Sequence, residues 1–181
     1  LVVSKATPTY TSFSIPQKII GNAAFAITPP VSSSTGAFTY TSSNTAVATI
    51  SGTTITIVGI GTSTITATQS LTANYTSGTT TATLTVNKAT PVLSNFSAIT
   101  KTFGNAAFNL VAPTTNSNGA FTYTSSNTAV ATVSGTTVTI VGAGTATITA
   151  SQATTTNYLA ETIAATMTVS QATPTITKFD I

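Results

Sequence analysis

Apolar residues alternate with hydroxyl residues along most of this chain instead of recurring every three or four positions. Thr53-Thr54-Ile55-Thr56-Ile57-Val58 and Thr62-Ser63-Thr64-Ile65-Thr66-Ala67 place Ile55 with Ile57, and Ile65 with Ala67, on one face and threonines on the other. A period of two is that of a half-buried strand. Threonine suits the outer face because its branched Cβ restricts χ1 and favours a pleated backbone, while its hydroxyl accepts water. Similar runs occur at 24–27, 37–41, 46–50 and 79–86, separated by turn signals such as Ser42-Ser43-Asn44, Ser51-Gly52 and Gly59-Ile60-Gly61. No stretch carries a helical period. About seven strands with a turn every 8 to 12 residues predict an all-β fold built as an antiparallel two-sheet sandwich.

The pattern repeats. Ala6-Thr7-Pro8 returns as Ala89-Thr90-Pro91 and as Ala172-Thr173-Pro174, each time 83 residues on, and the block 36–49 equals 119–132 without one difference. Aligned at that offset, 50 of 83 positions are identical with no insertion. The spacing predicts the last strand of a preceding repeat over 1–5, repeat 1 over 6–88, repeat 2 over 89–171 and the first strand of a following repeat over 172–181. Proline in each junction fixes the backbone and holds the residue before it extended, so the junctions read as stiff. Phe25, Phe38, Tyr40, Val47, Ile50, Ile55, Ile57, Ile65, Leu84 and Val86 are expected in the first core. Phe108, Phe121, Tyr123, Val138, Ile140 and Ile148 are their counterparts among the second. Tyr75 and Tyr158, before the last strands, are expected to lay their rings over the core edge.

Composition changes this picture mainly by exclusion. The 181 residues include 47 Thr and 20 Ser, but only five Lys and two acids, with no Arg, His, Cys or Trp. Histidine is the usual general base and Cys the soft nucleophile, and the usual metal cages need His, Cys or clustered carboxylates. Glu161 and Asp180 sit in different repeats, and Gly78 stands where the first repeat would match Glu161. No paired acid and base can be assembled within a repeat. No catalytic residue, cofactor or metal site is therefore expected, and the chain reads as no enzyme. The net charge of +3 comes from scattered lysines, which does not make the dense basic footprint of a nucleic-acid protein. No apolar run approaches the ~18 residues of a membrane span, and the first residues lack the pattern of a signal peptide. Charged content of 4% against roughly 25% in ordinary domains leaves solubility to hydroxyls, glycans or burial in an assembly.

Gly59-Ile60-Gly61 and Gly142-Ala143-Gly144 read as strand turns and not as phosphate loops, since no Lys and no helical pattern follows. Lys18 recurs as Lys101 and Lys5 as Lys88, which reads as solvation near domain ends. Asn74-Tyr75-Thr76 and Asn95-Phe96-Ser97 match the N-glycosylation pattern; their counterparts in the other repeat do not, which favours chance. The repeats differ mostly over 9–20, 26–35, 68–73 and 76–81, the segments in which a ligand site would be sought.

The stretch from Tyr40 to Ile50, then Gly52, then Val58-Gly59-Ile60-Gly61-Thr62-Ser63-Thr64-Ile65-Thr66-Ala67, resembles the bacterial immunoglobulin-like domain of group 2. The second repeat matches with Gly144-Thr145-Ala146-Thr147-Ile148-Thr149-Ala150. Tyr40 and Tyr123 stand where that family often has Trp. Such domains occur in tandem in surface adhesins, in intimin-like and invasin-like stalks, and in phage or large-virus structural proteins. The resemblance implies a structural role outside the cell, at a cell surface or on a virion, in a stalk, fibre or filament. The implied partners are neighbouring repeats of the same chain or copies of it. Two alternatives stay open: an adhesin whose loops take a glycan or host protein, and a filament subunit joined by intermolecular strand pairing.

Overall fold

A computed structural model of the chain describes residues 2–175. It divides into two compact units between Ala89 and Thr90, and all regular structure among the described residues is β. The strand expected over 172–181 lies largely outside the described residues, as does Asp180.

The first unit contains β1 (Tyr10–Thr11), β2 (Lys18–Ile19), β3 (Phe25–Ala26), β4 (Val31–Ser32), β5 (Phe38–Ser42), β6 (Ala48–Ser51), β7 (Thr54–Ile57), β8 (Gly61–Gln69) and β9 (Gly78–Asn87). One sheet has the order β2-β9-β8-β5 and the other β3-β7-β6, while β1 and β4 form a separate two-stranded ladder. The second unit repeats this with β10 (Leu93–Ser94), β11 (Ile99–Thr102), β12 (Phe108–Asn109), β13 (Thr114–Thr115), β14 (Phe121–Ser125), β15 (Ala131–Ser134), β16 (Thr137–Ile140), β17 (Gly144–Gln152) and β18 (Glu161–Ser170). Its sheets are β11-β18-β17-β14 and β12-β16-β15, with β10 paired to β13. Each unit is an immunoglobulin-like β-sandwich.

Two expectations need correction. Each unit has nine strands where about seven were expected, because β1 to β4, and likewise β10, β12 and β13, are ladders of only two residues. The sandwich is also not antiparallel throughout. Lys18 and Ile19 run parallel to Val86 and Asn87, and Ile99–Thr102 parallel to Met167–Ser170. Between β1 and β2 the chain passes through Ser12 at φ 59°, and Asn95 holds the same conformation at φ 59° in the second unit. A left-handed residue there redirects the chain away from the β1–β4 ladder. It then lies beside the last strand, running the same way.

The core lies between the two sheets. Ile55 from β7, Ile65 from β8, Leu84 from β9 and Ala48 from β6 are each fully buried, joined by Val47, Val86, Ile15 and Ile27. In the second unit Val138, Ile148, Met167 and Ala131 take these places. Phe25, Tyr40, Ile50 and Ile57, with Phe108, Tyr123, Val133 and Ile140, are half-buried and pack against the clusters. Phe38, Tyr75, Phe121 and Tyr158 are half-buried outside them. The reason for Phe38 and Phe121 is position: each stands on an edge strand with a neighbour on one side only. Phe38 packs on Tyr10 and Tyr40, with ring centroids 6.0 and 6.2 Å apart. Tyr75 is held by its backbone. It bridges to Ala6, whose N–H donates to the Asn74 carbonyl at 2.9 Å and whose carbonyl accepts from Thr76 at 2.9 Å.

One buried polar side chain recurs in both units. Gln69 ends β8 at 1% exposure, and its amide nitrogen donates to the carbonyls of Ser34 at 2.9 Å and Gly36 at 2.8 Å. Its amide oxygen accepts from the Ser32 hydroxyl at 2.7 Å. Gln152 does the same for Ser117, Gly119 and Thr115 at 3.1, 3.0 and 2.9 Å. The glutamine thereby replaces the ladder that the 33–37 segment lacks, because a buried carbonyl without a donor is costly.

Tyr40 and Tyr123 show the opposite case: their hydroxyl oxygens are buried with no hydrogen-bond partner. Burial pushes both phenols above the ordinary tyrosine range. A Tyr40→Phe substitution removes an unsatisfied group at little change of volume, so it is expected to stabilise the first unit by about 1 kcal/mol at neutral pH. The pH dependence has a definite sign. With the folded pKa raised, the preference for the neutral phenol is fully present below the unfolded value and is lost as pH rises through the folded one. Denaturant titrations at neutral and alkaline pH should therefore show a shallower alkaline decline for Tyr40→Phe than for wild type.

Candidate functional site

The described residues bring no group of three or more His, Cys, Asp or Glu together. No helix among them is long and apolar enough to cross a membrane. Glu161 opens β18 opposite Gln152. The two Gly-X-Gly segments connect β7 to β8 and β16 to β17, with Gly61 at φ 125° and Gly144 at φ 141°. Those φ values suit glycine alone, so these are strand turns.

The recurring lysines have a local explanation that the sequence did not supply. Lys18 Nζ stands 4.4 Å from the centre of the Phe25 ring, and Lys101 Nζ 4.5 Å from that of Phe108. A half-buried ring on β3 leaves one face open, and β2 supplies an ammonium to cover it, an arrangement worth about 0.5–1 kcal/mol at exposed sites. Each ring borders a small cleft between the sheets. The cleft is about 240 Å³ in the first unit, reaching Ile15 and Ile27, and about 260 Å³ in the second, reaching Phe96 and Leu110. Lys5 donates to the Thr72 carbonyl at 2.8 Å and so ties the first residues to the loop before β9.

Asn74 is exposed in a turn closed by the Thr72 N–H to the Tyr75 carbonyl at 3.0 Å. Asn95 is also exposed, but its side-chain nitrogen donates to the Thr114 hydroxyl at 3.0 Å while its backbone holds the left-handed conformation. A wider polar cleft of about 580 Å³ opens in the second unit between Gly119 and the 154–158 loop, beside Tyr158.

The segments that differ between repeats contain matched packing. A Cβ at Gly78 would stand 2.5 Å from the Tyr10 hydroxyl oxygen and 3.0 Å from Pro8 Cγ. The second unit has Leu93 at the place of Tyr10 and Glu161 at the place of Gly78: the large side chain has changed strands. Gly78→Glu alone is expected to destabilise the first unit by about 2 kcal/mol, the range of overpacking. Tyr10→Leu in the same chain should recover at least half of that loss. A double-mutant cycle by denaturant titration checks it, and additive effects would contradict the coupling.

Residues 113–154 match the family model of the intimin immunoglobulin-like domain. A comparison with curated proteins finds no match. Among solved structures, titin domains Z1Z2 in complex with telethonin align with a TM-score of 0.43 at 15% identity, covering 94% of this chain and 100% of that one. Human protocadherin-24 EC1-2 aligns with a TM-score of 0.38 at 12% identity, again over 94% and 100% of the two chains. Domains 4 and 5 of the S-layer protein SbsC align with a TM-score of 0.35 at 21% identity, over 74% and 70%.

Proposed function

We propose that this chain supplies tandem group-2 immunoglobulin-like modules to a non-enzymatic stalk, fibre or filament at a cell or virion surface. The observation that carries this reading is the duplication of one architecture. Gly61 to Gln69 pair with Val86 to Gly78, and Gly144 to Gln152 pair with Val169 to Glu161, in the same register 83 residues on. Strand order, the buried glutamine and the lysine over phenylalanine recur with them. Repetition of a self-contained sandwich adds length without a new fold. The match of 113–154 to the intimin immunoglobulin-like domain supports placement at a surface.

The reading is tested by protease shaving of intact source cells or particles, followed by mass spectrometry of the released fraction. Peptides spanning 36–49 should appear in the supernatant while cytosolic markers stay inside. Their retention until lysis would overturn the surface role.

A further inference from the structure

The outer face of the larger sheet in the first unit is a lattice of threonines. Cross-strand register puts Thr39 opposite Thr68 and Thr68 opposite Thr79, one row across three strands. The next row is Thr41, Thr66 and Thr81. Thr64 opposite Thr83 and Thr62 opposite Thr85 continue the central pair of strands. β8 and β9 stay in register over nine pairs with no bulge, so nothing breaks the grid. Rows lie about 6.7 Å apart along each strand, and neighbours within a row about 4.8 Å apart. The second unit keeps the grid in part: Thr147 stands opposite Thr166 and Thr145 opposite Thr168, while Ala164 interrupts the row of Thr124 and Thr149.

We infer that this face binds ice, a neutral lattice of hydroxyl donors and acceptors. Three features point there. First, β-branched side chains have few rotamers, so each methyl and hydroxyl keeps its place, and a solid surface can be matched at many points without ordering them on binding. Hexagonal ice exposes planes whose oxygens repeat in two perpendicular directions at spacings of the same order. Twist rotates the three threonine-bearing strands by about 20–25° per interval, so the closest match to a flat plane is made by the central pair β8 and β9, where the threonine column is longest.

Second, the face matches its partner in charge. No row of the grid holds a charged residue: Lys18 and Lys101 stand beside the inward Val86 and Val169 and lie over Phe25 and Phe108, and Glu161 stands opposite the buried Gln152. An anionic polymer would find no cation on it. Third, Phe38 and Tyr40 on β5 point to the inner side, their ring contacts being with Tyr10 and Phe13. A polysaccharide would therefore find no ring on the outer face to stack against. The inference is independent of the proposed stalk, since it concerns the outer threonine face, complete in the first unit and partial in the second, and not how units are joined.

Ice recrystallisation inhibition and thermal hysteresis of the full chain test it. Wild type is expected to slow recrystallisation and to open a hysteresis gap. Thr66→Lys combined with Thr149→Lys, at the centre of each face, should lower the activity at least about tenfold, the equivalent of losing about 1.4 kcal/mol of binding. Thr56→Lys with Thr139→Lys, on the outer face of the smaller sheet, should leave it unchanged. Thr41→Lys on the edge strand, where a long side chain is easily accommodated, gives a second disrupting variant if the central one folds poorly by circular dichroism. Absence of activity in wild type, or equal loss in both sets of variants, would overturn the assignment. So would retention on insoluble cellulose or chitin, lost in Thr66→Lys, without any effect on ice.

Discussion

Replacing Gln69 with Leu should cost the first unit about 3 kcal/mol, measured as a lower denaturant midpoint with the slope unchanged. Leucine keeps much of the volume, so the loss is almost wholly polar. The side chain is nearly sealed from water and makes three hydrogen bonds, two of them to carbonyls of a segment with little ladder of its own. Removing the donor leaves the Ser34 and Gly36 carbonyls short of a partner, at about 1–3 kcal/mol for each group that stays dry. The Ser32 hydroxyl loses its acceptor too, although it still accepts from the Ser34 N–H at 3.0 Å. Gln152→Leu should do the same to the second unit. A change within a few tenths of a kcal/mol, as for a surface glutamine, would show that water reaches the 34–36 segment and that the clamp is dispensable.

Gly36→Ala should be nearly as damaging, at about 2–3 kcal/mol, and for a steric reason. A Cβ at Gly36 would overlap the backbone carbonyl of Ser70, and one at Gly119 the carbonyl of Ala153. These carbonyls belong to the main chain beside the end of β8 and β17, where Ser70 N–H donates to Ala37 at 2.9 Å and Ala153 N–H to Ala120 at 2.9 Å. They cannot swing aside as a flexible side chain would. Accommodating the methyl must lengthen that bond and pull Gly36 away from Gln69. Gly36→Ala and Gln69→Leu should therefore be less than additive in one chain, because each already breaks the same seat. Gly52→Ala is the control for crowding. It has open space around its Cβ and suffers only from its φ of 55°.

The strands that carry alternation over four or more residues are legible in the amino-acid sequence, because threonine against isoleucine writes the period plainly in β7 and β8. Of the two-residue strands, β3 falls inside the 24–27 run, but β1, β2 and β4 are not legible, since two residues hold no period. Parallel pairing of β2 with β9 is hidden for a different reason: a strand's own pattern is the same whichever way its neighbour runs. The alternation of β8 carries Gln69 to the inner face with Ile65 and Ala67, but the carbonyls that satisfy its amide there belong to a segment some 35 residues away and are not written in the strand. Ile15 escapes notice because it lies between β1 and β2 without belonging to either, and the burial of Ile27, at the end of the 24–27 run, is not written in so short a stretch. Threonine-rich outer faces are visible as composition along one strand at a time. Their rows are not, because register between strands decides which threonines stand side by side.

The parallel pairing has a mechanical consequence. In each unit it joins a strand near the beginning to the strand that ends it, so tension applied through the two ends draws β2 and β9 in opposite directions along their common axis. The hydrogen bonds between them are then loaded side by side, in shear, and must yield together; in a hairpin pulled open from its tips they would break one after another. The first unit has two paired positions in this patch and the second has four. On pairing length alone the shorter patch of the first unit is expected to yield before that of the second, with the parallel bridge of Ala6 to Tyr75 as its remaining tie.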